Sequence, residues 1–131
     1  MKVRCISRAL DAGQCSKLRV TNSIEYQLVI GNTYLVLALT MMTDGEPHGG
    51  GVHYQILNDY GAIRSIPSVL FEIEDPRCSR FWNAQAHEDG SLLLWPEEFF
   101  TKYFHDDLSE GVQETVKVFA EVVNRLSIEF D

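Results

Sequence analysis

Hydrophobic and polar residues alternate along much of the first two-thirds of the chain, with the two-residue period of half-buried β-strands. In KVRCIS, Val3 and Cys5 fall on one side and basic residues fall on the other. The segment YQLVIGNTYLVLALTMM is rich in β-branched and aromatic residues around Gly31 and Asn32, which fits two strands meeting at a turn or one long bent strand. Residues 1–95 are therefore predicted to be mainly β-structure.

Two β-hairpins are predicted by strand-like segments on either side of turn residues. VHYQIL and AIRSI flank NDYG, in which Gly61 can adopt the positive φ that such a turn needs. FWNAQA and SLLLW flank HEDG in the same way. Between the two hairpins, PSVLFEIED predicts a proline-initiated turn followed by another short strand. We find no internal repeat or linker that would divide the chain.

Helical periodicity replaces this alternation in the C-terminal third, residues 96–131. Pro96 suits the first turn of a helix, where its missing N–H costs nothing, and two glutamates follow it near the positive end of the helix dipole. Aromatic residues four apart form a face that we expect to be buried: Phe99 with Tyr103, and Phe100 with Phe104. A last helix is predicted by an apolar stripe with spacings of three and four residues: Val112, Val116, Phe119, Val123 and Leu126.

These elements predict an α+β protein with a single domain over residues 1–131. Residues 1–95 are expected to form an antiparallel, partly closed β-sheet, against which two C-terminal helices of residues 96–131 pack. The 131 residues, 45% of them hydrophobic, suffice for one core. The longest apolar run, residues 34–39, is far shorter than the roughly 20 residues of a membrane span, and the N-terminus does not resemble a secretory signal. We therefore expect a cytoplasmic protein with no membrane partner.

The net charge of −8 is concentrated near the C-terminus. Residues 96–131 contain nine acidic and three basic residues, whereas residues 1–95 contain ten and eight. Nucleic-acid binding is not expected, because the basic residues are few and scattered. A basic protein partner is the better prediction, although such a charge also serves solubility alone. The candidate partner-binding residues lie around HDDLSEG: Asp106, Asp107, Glu110 and Glu114.

The segment HGGGVH, from His48 to His53, resembles the oxyanion-hole motif of lipases and esterases. An esterase also needs a nucleophile in G-x-S-x-G, and the chain contains no such motif. The nearest segment is GQCSK, which contains Cys15 and Ser16 but lacks the closing glycine. We therefore predict that the protein is not an enzyme and that TDGEPHGGG is a mobile loop.

No metal or cofactor site is expected from the sequence. The cysteines Cys5, Cys15 and Cys78 are widely spaced, with no C-x-x-C pair. His48 and His53 would lie on opposite faces of an extended segment. Acidic neighbours such as those in PEEFF point about 100° apart on a helix, so they do not converge on a substrate.

Two segment-level resemblances bear on fold and function. The first resemblance is to a small SH3-like barrel. It rests on the order of elements, which is strand, glycine turn, strand, loop and hairpin, followed by IPSVLFEI with its P-x-x-L-F-E from Pro67 to Glu72. Over about three-quarters of its length the chain is similar to small acidic bacterial immunity proteins of polymorphic or contact-dependent toxin systems. The segments that carry this likeness are GNTYLVLAL, YQILNDYG, PSVLFEIED, PEEFF and FHDDLSEG. It implies a non-catalytic inhibitor of one cognate toxin domain.

The alternative function is an SH3-like adaptor of bacterial or phage origin that binds proteins or peptides. Such a domain needs an aromatic groove for a proline-rich segment. Tyr34, Tyr54 and Tyr60 are its candidates, although strand alternation makes Tyr54 equally a core residue. The sequence leaves the toxin, the interface and the oligomeric state open.

Overall fold

The computed structural model describes residues 1–21, 23–43 and 50–131. Within them, seven strands form one antiparallel sheet: β1 Lys2–Cys5, β2 Thr33–Met42, β3 Gly51–Leu57, β4 Ile63–Pro67, β5 Phe71–Asp75, β6 Trp82–Ala86 and β7 Leu92–Pro96. The helices are α1 Ala12–Leu18, α2 Phe104–Ser109 and α3 Gln113–Glu129. The predicted α+β class, with an antiparallel sheet and two C-terminal helices, is confirmed. The loop expected in TDGEPHGGG falls largely on residues 44–49, outside the described residues.

Strand β2 is the centre of the sheet because it pairs with three other strands. One edge pairs with β3, whereas the other edge is divided between β1 at residues 33–35 and β7 at residues 39–41. The strand order is β4-β3-β2-β1-β5, and β6 extends the sheet beyond β7. The sheet does not close, since β4, β5 and β6 each pair with one strand among the described residues.

A bulge in β2 changes which residues face each side of the sheet. The pairing with β3 skips Leu37, so Leu37 and Ala38 both contact the C-terminal helices, while Val36 and Leu39 face the opposite side. The carbonyl of Leu37 accepts a hydrogen bond from the Trp82 indole N–H at 2.9 Å. The bulge therefore allows one strand to contribute to two cores.

The two cores lie on opposite faces of the sheet. The first is built from β1, the strands around it and the segments near α1: Met1, Val3, Cys5, Leu10, Val20, Leu28, Tyr34, Val36, Leu39, Tyr54, Ile56, Ile66, Leu70 and Phe71. The second lies under the C-terminal helices: Leu37, Ala38, Phe99, Phe104, Phe119, Val122 and Leu126. Burial of these apolar groups stabilises the packing of both layers.

Both hairpins use the same turn. The Asn58 N–H donates to the Ala62 carbonyl at 2.8 Å, and Gly61 donates back to the Asn58 carbonyl at 3.1 Å. His87 and Gly90 repeat this arrangement, and each turn glycine has a positive φ, 79° and 91°. Each second strand ends at a proline followed by a 3-10 turn, Ser68–Leu70 and Glu97–Phe100. The two hairpins were predicted from the sequence, but their use of the same turn and the same proline-led 3-10 turn was not.

The helix predicted to begin at Pro96 is instead this 3-10 turn. The chain leaves it at Thr101, with ψ 133°, so the four-residue spacing does not hold beyond that point. Tyr103 has φ 64° and its side chain is exposed, whereas Phe99 stacks on Phe104 with ring centroids 4.9 Å apart. The aromatic cluster therefore forms, but not through the predicted pair of Phe99 and Tyr103.

Helix α3 was predicted, but the buried face of its first turns is different. Val112 precedes the helix and is 40% exposed, and Val116 is 43% exposed. The fully buried face consists of Phe119, Val122 and Leu126, because these residues reach the sheet and the 3-10 turn. The predicted stripe is thus wrong at its N-terminal end.

Helix α1 was not predicted. Its start is stabilised by a capping box, in which the Asp11 carboxylate accepts from the Gln14 N–H at 2.8 Å and the Gln14 amide accepts from the Asp11 N–H at 3.0 Å. It ends at Arg19, whose φ of 60° is left-handed. The helix was missed because it is short and mostly polar, so it has no apolar stripe with helical spacing.

Candidate interaction site

Four carboxylates, which we call the acidic turn, surround the connection between α2 and α3: Asp106, Asp107, Glu110 and Glu114. Three of them are exposed, and Asp107 is half-buried. Gly111, with φ 76°, ends α2 and allows the chain to reverse into α3. The structure therefore places the sequence-predicted residues on two successive helix ends.

Helix stability explains the positions of three of the four acidic residues. Neither α2 nor α3 has a side-chain hydrogen bond at its N-cap, and acids in a first helical turn stabilise the positive end of the dipole. This accounts for Asp106, Asp107 and Glu114. It does not account for Glu110, which is the C-cap of α2 and therefore lies at the negative end.

The acidic turn has no basic partner within the described part of the fold. The described residues form six ion pairs, and none of these pairs includes Asp106, Asp107, Glu110 or Glu114. Other acids of the C-terminal third are used internally: Arg125 donates to both Glu98 carboxylate oxygens at 2.9 Å. This pairing lowers the pKa of Glu98. Negative charge at the acidic turn is therefore available to a partner.

A cavity of about 540 Å³ lies beside the acidic turn, between the turn of the first hairpin and helices α2 and α3. Its apolar wall contains Ile63, Leu108, Val116 and Phe119. Val116 is the exposed valine that helical periodicity had placed in the core. The rest of the lining is mostly polar and includes Gln55 and Arg64, so the result is a mixed depression with an apolar wall and with carboxylates on the neighbouring helix ends.

His105 lines this cavity and packs against three aromatic rings. Its Nε2 lies 2.9 Å from Gln55 Oε1, and its ring centroid lies 4.9 Å from that of Trp95. Burial lowers the pKa of His105, and this effect exceeds the opposite effect of the Asp106 charge. Burial thus favours the neutral form of the imidazole, which is hydrogen-bonded to Gln55.

In the described part of the chain, the residues considered for ester hydrolysis do not form an esterase active site. His48 and Gly49 lie outside the described residues, and the Gly50 N–H donates to the Leu18 carbonyl at 2.8 Å. Cys15 lies within α1, where its N–H donates to the Asp11 carbonyl. GQCSK is therefore a helical segment and not a strained elbow between a strand and a helix.

The three tyrosines considered for peptide binding do not line one groove. Tyr34 and Tyr54 are buried, and their rings contact Phe71 at centroid distances of 6.2 and 5.9 Å. The Tyr34 hydroxyl donates to Asp59 at 2.6 Å. Tyr60 alone of the three is exposed, at 80%. Burial of the other two is a direct consequence of strand alternation, which already made Tyr54 a core candidate.

Metal-ligating side chains do not gather at one point in the described residues. These residues include no group of three or more histidine, cysteine, aspartate or glutamate side chains that could hold a metal ion. No helix among residues 1–21, 23–43 and 50–131 combines the length and apolar character that crossing a membrane requires.

The sequence matches no protein-family model, and neither a curated protein nor a solved structure matches it. The likeness to immunity proteins and SH3-like barrels therefore stays a resemblance of motifs and element order. Sequence reasoning identified the acidic turn from charge density. It did not predict that Val116 and His105 line a cavity beside that turn, because the cavity depends on how α3 and the first hairpin pack.

Proposed function

We propose that this protein is a non-catalytic immunity protein that binds one basic toxin domain in the bacterial cytoplasm and inhibits it by occlusion. The observation that carries this proposal is the acidic turn: four carboxylates within nine residues, without an ion pair to any described residue. Surface carboxylates that lack an internal partner produce a field that attracts a basic protein and increases its rate of association.

The apolar wall of the cavity supports a protein partner in preference to a small cation. Protein interfaces combine an apolar centre with a polar rim. Here Val116 and Leu108 are apolar contact points beside the acidic residues, and Val112 adds exposed apolar surface at the start of α3. A partner that inserts an apolar side chain into the cavity would place its basic residues opposite the acidic turn.

Glu110 supports the proposal because local helix stability does not explain an acidic residue at its position. Its charge at the C-terminal end of α2 opposes the helix dipole, and it lies four residues from both Asp106 and Glu114. Like charges at this spacing repel by a few tenths of a kcal/mol per pair when both lie on one helix, as Asp106 and Glu110 do at the end of α2. A basic partner would remove this repulsion on binding.

A growth-protection experiment tests the proposed function. The toxin candidate is the product of the adjacent upstream gene, expressed alone or together with this protein. We expect growth to be restored by the parent chain and by a variant with four acids neutralised elsewhere, at Glu25, Glu72, Glu74 and Glu88, all exposed. Neutralising the acidic turn to Asn and Gln should abolish protection at equal protein level. Lack of protection by the parent chain would overturn the proposal.

A further inference from the structure

The sheet has three edge strands among the described residues, and two of them carry features that discourage further strand pairing. Charged side chains and prolines on an edge protect it from pairing with another chain. Strand β4 contains Arg64 and ends at Pro67, and residues 25–27 lie beside it. Strand β5 contains Glu72, Glu74 and Asp75, the first two of which pair with Arg4.

Strand β6 has neither protection. Its sequence, WNAQA, contains no charged residue and no proline, and residues 83–86 are all exposed. It pairs with β7 through five successive residues without a register shift, so no bulge twists the edge away from solvent. An uncharged edge strand without a bulge, on a protein of net charge −8, is the feature that requires an explanation.

The turn of the second hairpin determines which backbone groups of β6 point outward. His87 donates across this turn at 2.9 Å, which makes it a hydrogen-bonded position of the hairpin. Hydrogen-bonded and non-hydrogen-bonded positions alternate in an antiparallel pair, so Gln85 and Asn83 also bond to β7. The backbone N–H and C=O groups of Ala84 and Ala86 therefore point away from the sheet, and no described residue bonds to them.

We propose that β6 joins two copies of this chain by pairing antiparallel with itself, centred on Ala84. In this register Trp82 lies opposite Ala86 of the second copy, and Asn83 lies opposite its Gln85. A large ring then faces a small side chain, and two amide side chains can hydrogen-bond to each other. The strand is thus complementary to its own copy, and the outward backbone groups of Ala84 and Ala86 gain partners.

Electrostatic repulsion favours self-pairing at the β6 edge over self-pairing at the β5 edge. Two chains of net charge −8 repel each other, and pairing β5 with itself would bring Glu72, Glu74 and Asp75 together. Pairing through β6 places no charged side chain of the strand opposite another. Because the overall repulsion is screened by salt, association through β6 should become stronger as salt is added.

Sedimentation equilibrium of the whole chain, at several protein concentrations and at about 0.05 and about 0.5 M NaCl, tests this proposal. We expect a monomer–dimer equilibrium that shifts toward dimer at higher salt. Ala84→Pro, which removes an outward N–H, should raise the dimer dissociation constant by on the order of tenfold or more. Ala84→Ser keeps that N–H, so its dimer dissociation constant should stay within about threefold of the parent's.

Two further variants test whether dimerisation depends specifically on the β6 edge. Ser65→Pro removes the corresponding outward N–H on the edge of β4, and it should not change dimerisation. Ala84→Glu leaves the backbone intact but places two carboxylates face to face, so it should weaken the dimer even if the proline variant does not fold. A monomer at all concentrations would overturn the proposal. So would a dimer that survives Ala84→Glu, or one that Ser65→Pro weakens equally.

Discussion

At the scale of single residues, His105 shows how burial couples the site to pH. Its ring is packed against Trp95, Phe99 and Phe104 and bonded to Gln55, so the folded protein favours the neutral imidazole. The unfolded chain has an ordinary histidine pKa of about 6.5 and binds a proton more readily. The stability contributed by this group is therefore complete above that pKa and is lost as pH falls below it.

His105→Gln should consequently reduce the dependence of stability on pH between about pH 7 and pH 5. The free energy of unfolding from urea titrations at several pH values measures this dependence. His87→Gln is the control, since His87 lies in an exposed turn. If the parent and the His105 variant lose stability with the same pH slope, burial of His105 does not couple folding to pH.

Phe119, like Leu126, is a residue at which the predicted and observed buried faces of α3 agree. It is buried and stacks on Phe99 at a centroid distance of 6.3 Å. Phe119→Ala should lower the free energy of unfolding by roughly 3–5 kcal/mol, because it removes a ring from a packed core. Val116→Ala, at a position 43% exposed, should cost less than about 1 kcal/mol. Equal effects of the two substitutions in denaturant unfolding would refute this assignment of the buried face.

At the scale of elements, predictions succeeded where short-range patterns determine the structure. The hairpins were predicted because Gly61 and Gly90 mark turns that need a positive φ. The bulge at Leu37 and the exposure of Val116 were not predicted, because both depend on packing between distant elements. The position of the acidic turn followed from charge alone, whereas its neighbouring cavity required the packing of α3 against the first hairpin.

Helix α1 is stabilised at its start by a pair of local hydrogen bonds. None of its residues is fully buried, and only Cys15 and Leu18 pack partly against the first core, so the capping box adds to a small tertiary contact. Asp11→Ala should cost about 1 kcal/mol, and Asp11→Asn, which retains the accepting oxygen, should cost less. Hydrogen exchange of the α1 amides measures this difference directly. Unchanged protection in Asp11→Ala would show that the cap is not important for the helix.

At the scale of the whole molecule, two surfaces have opposite electrostatic character. The acidic turn presents unpaired carboxylates, whereas β6 presents an uncharged strand edge. Binding of a basic partner at the acidic turn should weaken as salt is added, and self-association through β6 should strengthen. The direction of the salt dependence therefore distinguishes the two modes of association within one protein.

The central claim is that the acidic turn recognises a basic partner protein, and the association rate constant tests it most directly. It is measured by stopped-flow mixing with the isolated partner over a range of salt concentrations. Neutralising the acidic turn changes the net charge from −8 to −4, as does neutralising Glu25, Glu72, Glu74 and Glu88. We expect the first variant alone to associate markedly more slowly at low salt and with a flatter salt dependence. Identical rates and salt slopes for that variant and the parent would contradict the claim.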